Sequence, residues 1–242
     1  MLTRYFYRVY SHRHKCETTP TVSTWGAGPR KWPLLIYGKI SHLYIDGFNL
    51  YYRAVKGTAY KWLDLKKLLS HLLNPQNEII KIKYFTALVS GQVDPSKPIR
   101  QKTYIRALQK YIPELEVYYG HFLSHEIDAP LANTSPLRFA RVIKIEEKGS
   151  DVNLAVHLLN DAWRDDYDCA VVVSNDSDLA EAFRLIRAQT KKPIGLITPV
   201  NDPSKELMKH STFIKRIRQG VLSVSQLPNP IPGTTICKPA EW

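Results

Sequence analysis

The sequence has few cysteines and no long apolar run. Its three cysteines, Cys16, Cys169 and Cys237, lie far apart without a CxxC pair, which indicates neither a zinc ribbon nor a disulfide framework. No apolar stretch approaches the roughly 18 residues of a transmembrane helix, and the N-terminus lacks the compact apolar segment of a secretion signal. These absences predict a protein without a membrane partner, located in the reducing cytoplasm.

Signature motifs of several enzyme classes are also missing. The sequence has no GxGxxG, Walker A, HExxH or GxSxG motif and no two-His-one-carboxylate spacing. The segment DGFNLYY, which begins at Asp46, lacks the second aspartate at the +2 position of an aspartyl-phosphate phosphatase loop. No contiguous motif therefore identifies a site, and a site would combine residues that are far apart in the sequence.

Acidic residues are scarce relative to basic ones. The chain has 34 Lys and Arg against 22 Asp and Glu, a formal net charge of +12. This charge favours an anionic partner, with RNA as the leading candidate, although a solvated basic surface would give the same count. Residues 1–40 contain Glu17 as their single acid among many cations, prolines and glycines. We predict a basic N-terminal arm there, either disordered or in contact with phosphate backbones.

From residue 41 onward, apolar runs alternate with amphipathic segments. The runs that predict strands are HLYID, IIKIKYFTAL, LEVYYGHFL, CAVVV, PIGLIT and FIKRI. Strands that alternate with helices predict an α/β domain with a mainly parallel central sheet over residues 41–220. SHEIDAPLANTSPL (124–137) is predicted to be a loop insertion, RFARVIKIEE (138–147) an edge strand or hairpin arm, and residues 221–242 a loose proline-rich tail.

Aspartates occur where predicted strands give way to the next element. Asp46, Asp151 and Asp176 each hold such a position. Because strand carboxyl ends share one edge of a parallel sheet, these side chains should converge there and repel one another by about 4 kcal/mol per close pair. Oxygen-only ligands suit Mg²⁺ or Mn²⁺. We therefore predict that these three residues bind such an ion and that Asn49 orients a water or a phosphate.

The same aspartates have a structural alternative. Asp is favoured at helix N-termini, where its oxygens accept free backbone N–H groups and its charge complements the helix dipole. Asp178 is followed three residues later by Glu181, which completes a capping box. For Asp178 capping is the first interpretation, and the binding of a second metal ion or of metal-bound water is the other.

Four cations are candidates for substrate contact: Lys102, Arg106, Lys110 and Lys148. The first three recur every fourth residue on one predicted helix, with Tyr104 and Tyr111 interleaved. Such a helix can hold a single-stranded backbone with its cations while the tyrosines stack on bases. A solvated helix face is the alternative.

Three motifs, DGFN (46–49), KGSDVNLA (148–155) and SNDSDL (174–179), each follow a predicted strand. In this order they resemble the NYN family, a branch of the PIN-like nuclease superfamily, and the resemblance covers about residues 41–220. It implies a PIN-like three-layer α/β sandwich, a site for Mg²⁺ or Mn²⁺, and ribonuclease activity. By motif position, it implies that the site is lined by Asp46, Asn49, Asp151, Asp176 and Asp178.

Two other functions are alternatives to RNA hydrolysis. Some bacterial NYN proteins similar to this one carry the name 6-hydroxy-3-succinoylpyridine 3-monooxygenase, which implies an NADH-dependent ring hydroxylase with FAD as a candidate second cofactor. Ring hydroxylation with O₂ needs a cofactor of this kind, because amino-acid side chains alone do not activate dioxygen. The third function is a non-catalytic RNA-binding module in which the aspartates serve as helix caps.

Overall fold

The computed structural model describes residues 40–91 and 94–242. The predicted basic arm over residues 1–40 therefore lies outside the described residues, except for Ile40. The strands are β1 (Ile40–Asp46), β2 (Glu78–Thr86), β3 (Leu115–Tyr119), β4 (His121–Pro130), β5 (Phe139–Lys148), β6 (Cys169–Val173), β7 (Ile194–Thr198) and β8 (Phe213–Arg216). The helices are α1 (Gly47–Leu50), α2 (Leu65–Leu72), α3 (Ser96–Tyr111), α4 (Ser150–Trp163), α5 (Ala180–Gln189), α6 (Lys205–His210) and α7 (Gln219–Val224).

Six of the strands form one sheet in the order β3-β2-β1-β6-β7-β8, and every pairing in it is parallel. The chain thus winds outward from β1 to one edge and from β6 to the other. Strand order reverses between β1 and β6, and ligands of open α/β sheets bind at such a reversal, outside the carboxyl ends of the strands. This topology brings the residues that follow β1 close to those that follow β6.

Helices cover both faces of this sheet. Leu43 and Ile45 of β1 face the layer that contains α2, α3 and α7, whereas Tyr44 faces the layer of α4, α5 and α6. All five residues of β6 are buried, as are all five of β7. Central parallel strands covered on both faces need such continuous apolar sequences. The prediction of a three-layer α/β sandwich with a parallel sheet is confirmed.

The sequence of α2 shows how local pattern and packing agree. Asp64 precedes the helix, and its Oδ1 accepts a hydrogen bond from the backbone N–H of Lys67 at 2.9 Å. Leu65, Leu68, Leu69 and Leu72 recur at helical spacing, and all four are buried. The cap satisfies an N–H group that the helix leaves free, and the leucine stripe supplies the packing that stabilises so short a helix. No helix among the described residues combines the length and the apolarity needed to cross a membrane.

Two expectations about the segment between β3 and α4 are wrong. The third strand ends at Tyr119 rather than at Leu123, and residues 121–130 form β4 instead of a loop insertion. β4 pairs antiparallel with β5 in a separate two-stranded sheet, in which His121 lies opposite Lys148. Polar side chains on both faces made β4 resemble a loop, whereas its cross-strand pairing determines the structure. β5 is the hairpin arm that was predicted as one alternative for residues 138–147.

The proline-rich C-terminal segment is packed rather than loose, so that expectation is also wrong. Leu227 and Ile231 are buried in the same core as α2. The indole N–H of Trp62 donates to the backbone oxygen of Pro228 at 3.0 Å. The ring of Trp242 lies 6.4 Å from that of Trp62. The prolines prevent regular secondary structure, but the apolar residues between them still fill the space beside α2.

A buried polar cluster lies between the sheet and α4. The carboxylate of Asp161 accepts hydrogen bonds from Lys83 Nζ and from Tyr44 Oη, each at 2.6 Å. His42 Nδ1 lies 3.6 Å from the same oxygen, and all four side chains are buried. Burial opposes ionisation of Asp161, but His42, Lys83 and Tyr44 outweigh it and hold the pKa of this carboxyl well below its ordinary value. Lys83 and Asp161 therefore form a buried ion pair with satisfied hydrogen bonds.

Candidate functional site

Asp46 joins the two loops that meet at the reversal of strand order. It ends β1 and caps α1, because its Oδ1 accepts a hydrogen bond from the backbone N–H of Asn49 at 2.9 Å. Its Oδ2 accepts a second hydrogen bond from Ser174 Oγ, also at 2.9 Å. Ser174 directly follows β6. One carboxylate thus holds the ends of two adjacent strands together.

The electrostatic environment of Asp46 is unfavourable to its charge. Burial raises the pKa of this carboxyl, the hydrogen bonds from Asn49 and Ser174 lower it, and the neighbouring charges of Asp176 and Glu147 raise it again. The net pKa lies above the ordinary value of aspartate. A place where neighbouring carboxylates raise the pKa of a third is one where a cation would be favoured.

Gly47 permits the close approach of this loop to β2. A Cβ atom at Gly47 would lie 2.7 Å from Tyr84 Oη and 2.8 Å from the backbone oxygen of Phe85, and both distances are shorter than real Cβ contacts. The backbone oxygen cannot move without distorting β2. The glycine that follows Asp46 is therefore required by the packing of the loop.

Replacing Gly47 with alanine is expected to lower the free energy of unfolding by about 1–3 kcal/mol, because the added methyl group forces the backbone apart. Denaturant unfolding measures this change. Gly220→Ala in α7 is the matched control, since a Cβ there meets nothing within 4 Å and alanine is the better helix former, worth up to about 1 kcal/mol. Equal stability of the two variants would contradict the packing requirement at Gly47.

The loop after β6 carries the next two aspartates. Ser174 Oγ accepts a hydrogen bond from the backbone N–H of Asp176 at 3.0 Å. Asp176 in turn accepts one from the N–H of Asp178 at 3.1 Å and so caps the 3₁₀ turn over Ser177–Leu179. This turn precedes α5 and uses Asp176, not Asp178, as its cap.

The predicted capping box of Asp178 and Glu181 is therefore wrong. α5 begins after Leu179 and has no side-chain cap, and Glu181 instead forms an ion pair with Arg184 at 2.6 Å. The 3₁₀ turn shifts the start of the helix, so that the Asp178 carboxylate is exposed and does not serve as its N-cap.

Asp151 lies in the first turn of α4, near the loop that carries Asp176 and Asp178. Two residues before it, Gly149 has a φ of 91°, which lets the chain turn sharply out of β5. Carboxylate oxygens of Asp151, Asp176 and Asp178 all lie within 4.8 Å of one another. We call these three residues the aspartate triad. Asp46 is not a member of the triad, but the charge of Asp176 raises the pKa of the Asp46 carboxyl.

The aspartate triad fits a small divalent cation. It offers only carboxylate oxygens, the ligands that Mg²⁺ and Mn²⁺ prefer. The three carboxylates are close enough for one such ion to lie among them, and their side chains would move together around it. The ligand set predicted from the sequence was Asp46, Asp151 and Asp176. The geometry instead groups Asp178 with Asp151 and Asp176 and places Asp46 beside them.

Asn49 and Asn175 brace the two loops. Asn49 Oδ1 accepts a hydrogen bond from the backbone N–H of Asn175 at 3.2 Å. Asn175 Oδ1 accepts one from the backbone N–H of Ser204 at 2.8 Å. The side-chain oxygen of Asn49 therefore has a structural partner, which restricts its predicted role in orienting water or phosphate.

Glu147 is a site residue that sequence reasoning missed. Its Oε1 accepts a hydrogen bond from the backbone N–H of Ser150 at 3.1 Å, and its charge acts on Asp46. The signal was available, because Glu147 lies next to the KGSD motif at the end of a predicted strand. An edge strand or a hairpin arm is not expected to bring its acids to the end of the central sheet, so the sequence pattern does not single out Glu147.

The predicted substrate cations lie in two places. Lys102, Arg106 and Lys110 are exposed on α3, in the helical layer opposite the one that carries Asp151. Lys148 ends β5, three residues before Asp151, and forms an exposed ion pair with Glu146 at 3.6 Å. The aspartate triad therefore has Lys148 close to it in sequence, whereas the stripe on α3 belongs to another layer.

The two tyrosines of α3 differ in accessibility. Tyr104 Oη donates to the backbone oxygen of Leu63 at 2.7 Å, and the ring packs 5.6 Å from that of Trp242. Tyr111 is partly exposed at the end of the helix. The expectation that Tyr104 lies on the basic stripe and stacks on bases there is wrong, because its side chain points into the core.

Comparison with known proteins bears on the same residues. The family model of the NYN domain matches residues 41–218, which include the six strands of the central sheet, apart from the first residue of β1, and both acidic loops. A protein of Pseudomonas putida (strain DSM 28022 / S16) named 6-hydroxy-3-succinoylpyridine 3-monooxygenase HspA is 33% identical over 235 residues, which cover 84% of this chain and 75% of that protein. A crystal structure of a protein of unknown function from Vibrio parahaemolyticus RIMD 2210633 is similar with a TM-score of 0.49 and 20% identity, over 76% of this chain and 95% of that one.

Proposed function

The chain belongs to the NYN domain family, and from this premise we propose that it is a metal-dependent nuclease that hydrolyses phosphodiester bonds of RNA. The observation that carries the proposal is the aspartate triad beside the half-buried Asp46, at the edge of the sheet where strand order reverses. RNA is the expected partner because of the net charge of +12 and because NYN domains act on RNA. The scattered cysteines favour the cytoplasm as the compartment.

Each predicted site residue has a role in this proposal. Asp151, Asp176 and Asp178 hold Mg²⁺ or Mn²⁺. When bound, such an ion lowers the pKa of a water molecule and neutralises charge on a phosphoryl oxygen. Asp46 and Asn49 tie the loop after β1 to the loop after β6, which keeps Asp176 and Asp178 opposite Asp151.

The RNA backbone is held by cations. Lys148 is the cation that we assign to a phosphate near the aspartate triad, because its exposed ion pair with Glu146 contributes little and is easily exchanged. Lys102, Arg106 and Lys110 are assigned to a more distant part of the strand.

The decisive experiment combines labelled RNA with a thermal melt. RNA should be cleaved with Mn²⁺ and remain intact with EDTA. At about a hundred times its dissociation constant, Mn²⁺ should raise the melting temperature by about 5–10 °C, because it binds the folded state alone. Asp151→Asn should abolish most of this shift. A protein that neither cleaves RNA nor is stabilised by Mn²⁺ would contradict the proposal.

A second candidate function is the NADH-dependent hydroxylation of a pyridine ring. The observation that favours it is the name of the Pseudomonas relative, together with its 33% identity. This chemistry requires a cofactor that activates O₂, for which FAD is the candidate. The test is oxidation of NADH that depends on 6-hydroxy-3-succinoylpyridine, with and without added FAD. If that oxidation appears and RNA stays intact, the hydroxylase replaces the nuclease.

A further inference from the structure

A cavity of about 200 Å³ lies beside the site at the same edge of the sheet, on the α3 side. Its walls are α1, the π-helical turn after it (Tyr51–Val55), the first half of α3 and the last two residues of the chain. Tyr84 and Thr86 line it from β2. The proposed nuclease function leaves this cavity unused.

The cavity has the size and the lining of a site for one flat ring. Pockets that enclose drug-sized ligands measure roughly 300–1,000 Å³, so this smaller, open cavity encloses about one ring of a larger ligand. Tyr51, Tyr52 and Trp242 contribute accessible aromatic side chains to its lining. Stacking of a base on such rings contributes about 1–3 kcal/mol and is tolerant of sequence.

Basic side chains also line this cavity. Arg100 is engaged, since its Nη2 lies 2.5 Å from Asp94 Oδ2. Lys61 and Lys97 are half-buried in the lining, and within the described part of the chain no carboxylate lies within ion-pair distance of either. Among the described residues of the lining, one has an acidic side chain, the exposed Glu241. A half-buried ammonium without a counter-ion favours an anionic ligand.

The cavity and the acidic site share a boundary. Gly47 and Phe48, which follow Asp46 in the chain, both line the cavity. Tyr84 also lines it, and after burial the charge of Asp46 is the next largest cause that raises the pKa of its hydroxyl. The loop after β1 is therefore common to the cavity and to the acidic site.

We propose that this cavity is a subsite for one nucleotide of the RNA strand, with the base among the aromatic rings and its phosphate at Lys61 and Lys97. The assignment deepens the proposed nuclease function and rests on it. Single-stranded RNA is commonly recognised in this way, because its unpaired bases can turn outward and stack on aromatic side chains.

The test measures binding without cleavage. Uridine monophosphate is titrated into the full chain in EDTA by calorimetry, with inorganic phosphate and nicotinate, a monocyclic aromatic acid, as parallel probes. Uridine monophosphate should bind more tightly than either. The double variant Lys61→Gln, Lys97→Gln should weaken its binding about tenfold or more, because hydrogen bonds to charged groups are lost. Lys67→Gln, on the exposed side of α2, removes one charge elsewhere and should leave binding unchanged.

The outcomes separate this inference from the nuclease proposal. Binding that the lysine pair controls supports the subsite even if RNA is never cleaved, and in that case only the nuclease assignment falls. No binding, binding that is insensitive to both lysines, or tighter binding of nicotinate than of the nucleotide overturns the subsite, whether or not RNA is cleaved. Half-exposed lysines tolerate glutamine, and the melting temperature of each variant verifies that it folds.

Discussion

Replacing Asp176 with asparagine is expected to reduce RNA cleavage about a thousandfold while the fold is retained. Loss of one carboxylate from the aspartate triad removes part of the charge that holds the cation, and several kcal/mol of transition-state stabilisation depend on that ion. Asparagine is as good an N-cap as aspartate, so the hydrogen bond from the N–H of Asp178 can persist. The substitution thus distinguishes the proposed metal-binding role of Asp176 from its role as a cap. Cleavage rates with Mn²⁺ and the melting temperature measure the two effects.

Asp64→Asn is the matched control. Asp64 also caps a helix, through its hydrogen bond from Lys67, but it is not part of the acidic site. Its asparagine variant should cleave RNA at the original rate. If Asp176→Asn is as active as this control, Asp176 is a cap alone, and the RNA-binding module without catalysis becomes the better account.

Replacing Lys83 with methionine is expected to lower the free energy of unfolding by about 3–5 kcal/mol. The substitution leaves Asp161 buried and without its cation, and an uncompensated buried charge has a cost of this size. Denaturant unfolding at neutral pH measures the change. The double variant Lys83→Met, Asp161→Leu should recover much of the loss, because a buried ion pair contributes little more than apolar residues of similar volume.

The stability of the original protein should depend on pH in the acid range. The pKa of Asp161 is lower in the folded protein than its unfolded value of about 3.9. Its contribution is therefore complete above that value and is lost as the pH falls below about 4 toward the folded pKa. Lys83→Met should weaken this dependence. A single variant as stable as the original would show that the pair is not the anchor between the sheet and α4.

Local patterns in the sequence predicted much of the fold. The buried runs CAVVV and IGLIT have the composition of parallel strands, and the leucines of α2 have the spacing of an amphipathic helix. Neither strand β4 nor the packed C-terminal segment could be predicted in this way. β4 alternates too weakly to indicate a buried face, and Leu227 and Ile231 are isolated among prolines, so each depends on a partner that is distant in sequence.

The site shows the same division. Sequence position alone predicted that Asp46, Asp151, Asp176 and Asp178 would follow strands or begin helices, because strand ends and turns are local features. Only the tertiary structure decided which carboxylates lie together, that the charge of Glu147 acts on Asp46, and that Tyr104 points into the core. The physical reason is that these distances depend on the pairing of β1 with β6 and on the turns that follow them, and hydrophobic periodicity carries no information about which strands pair.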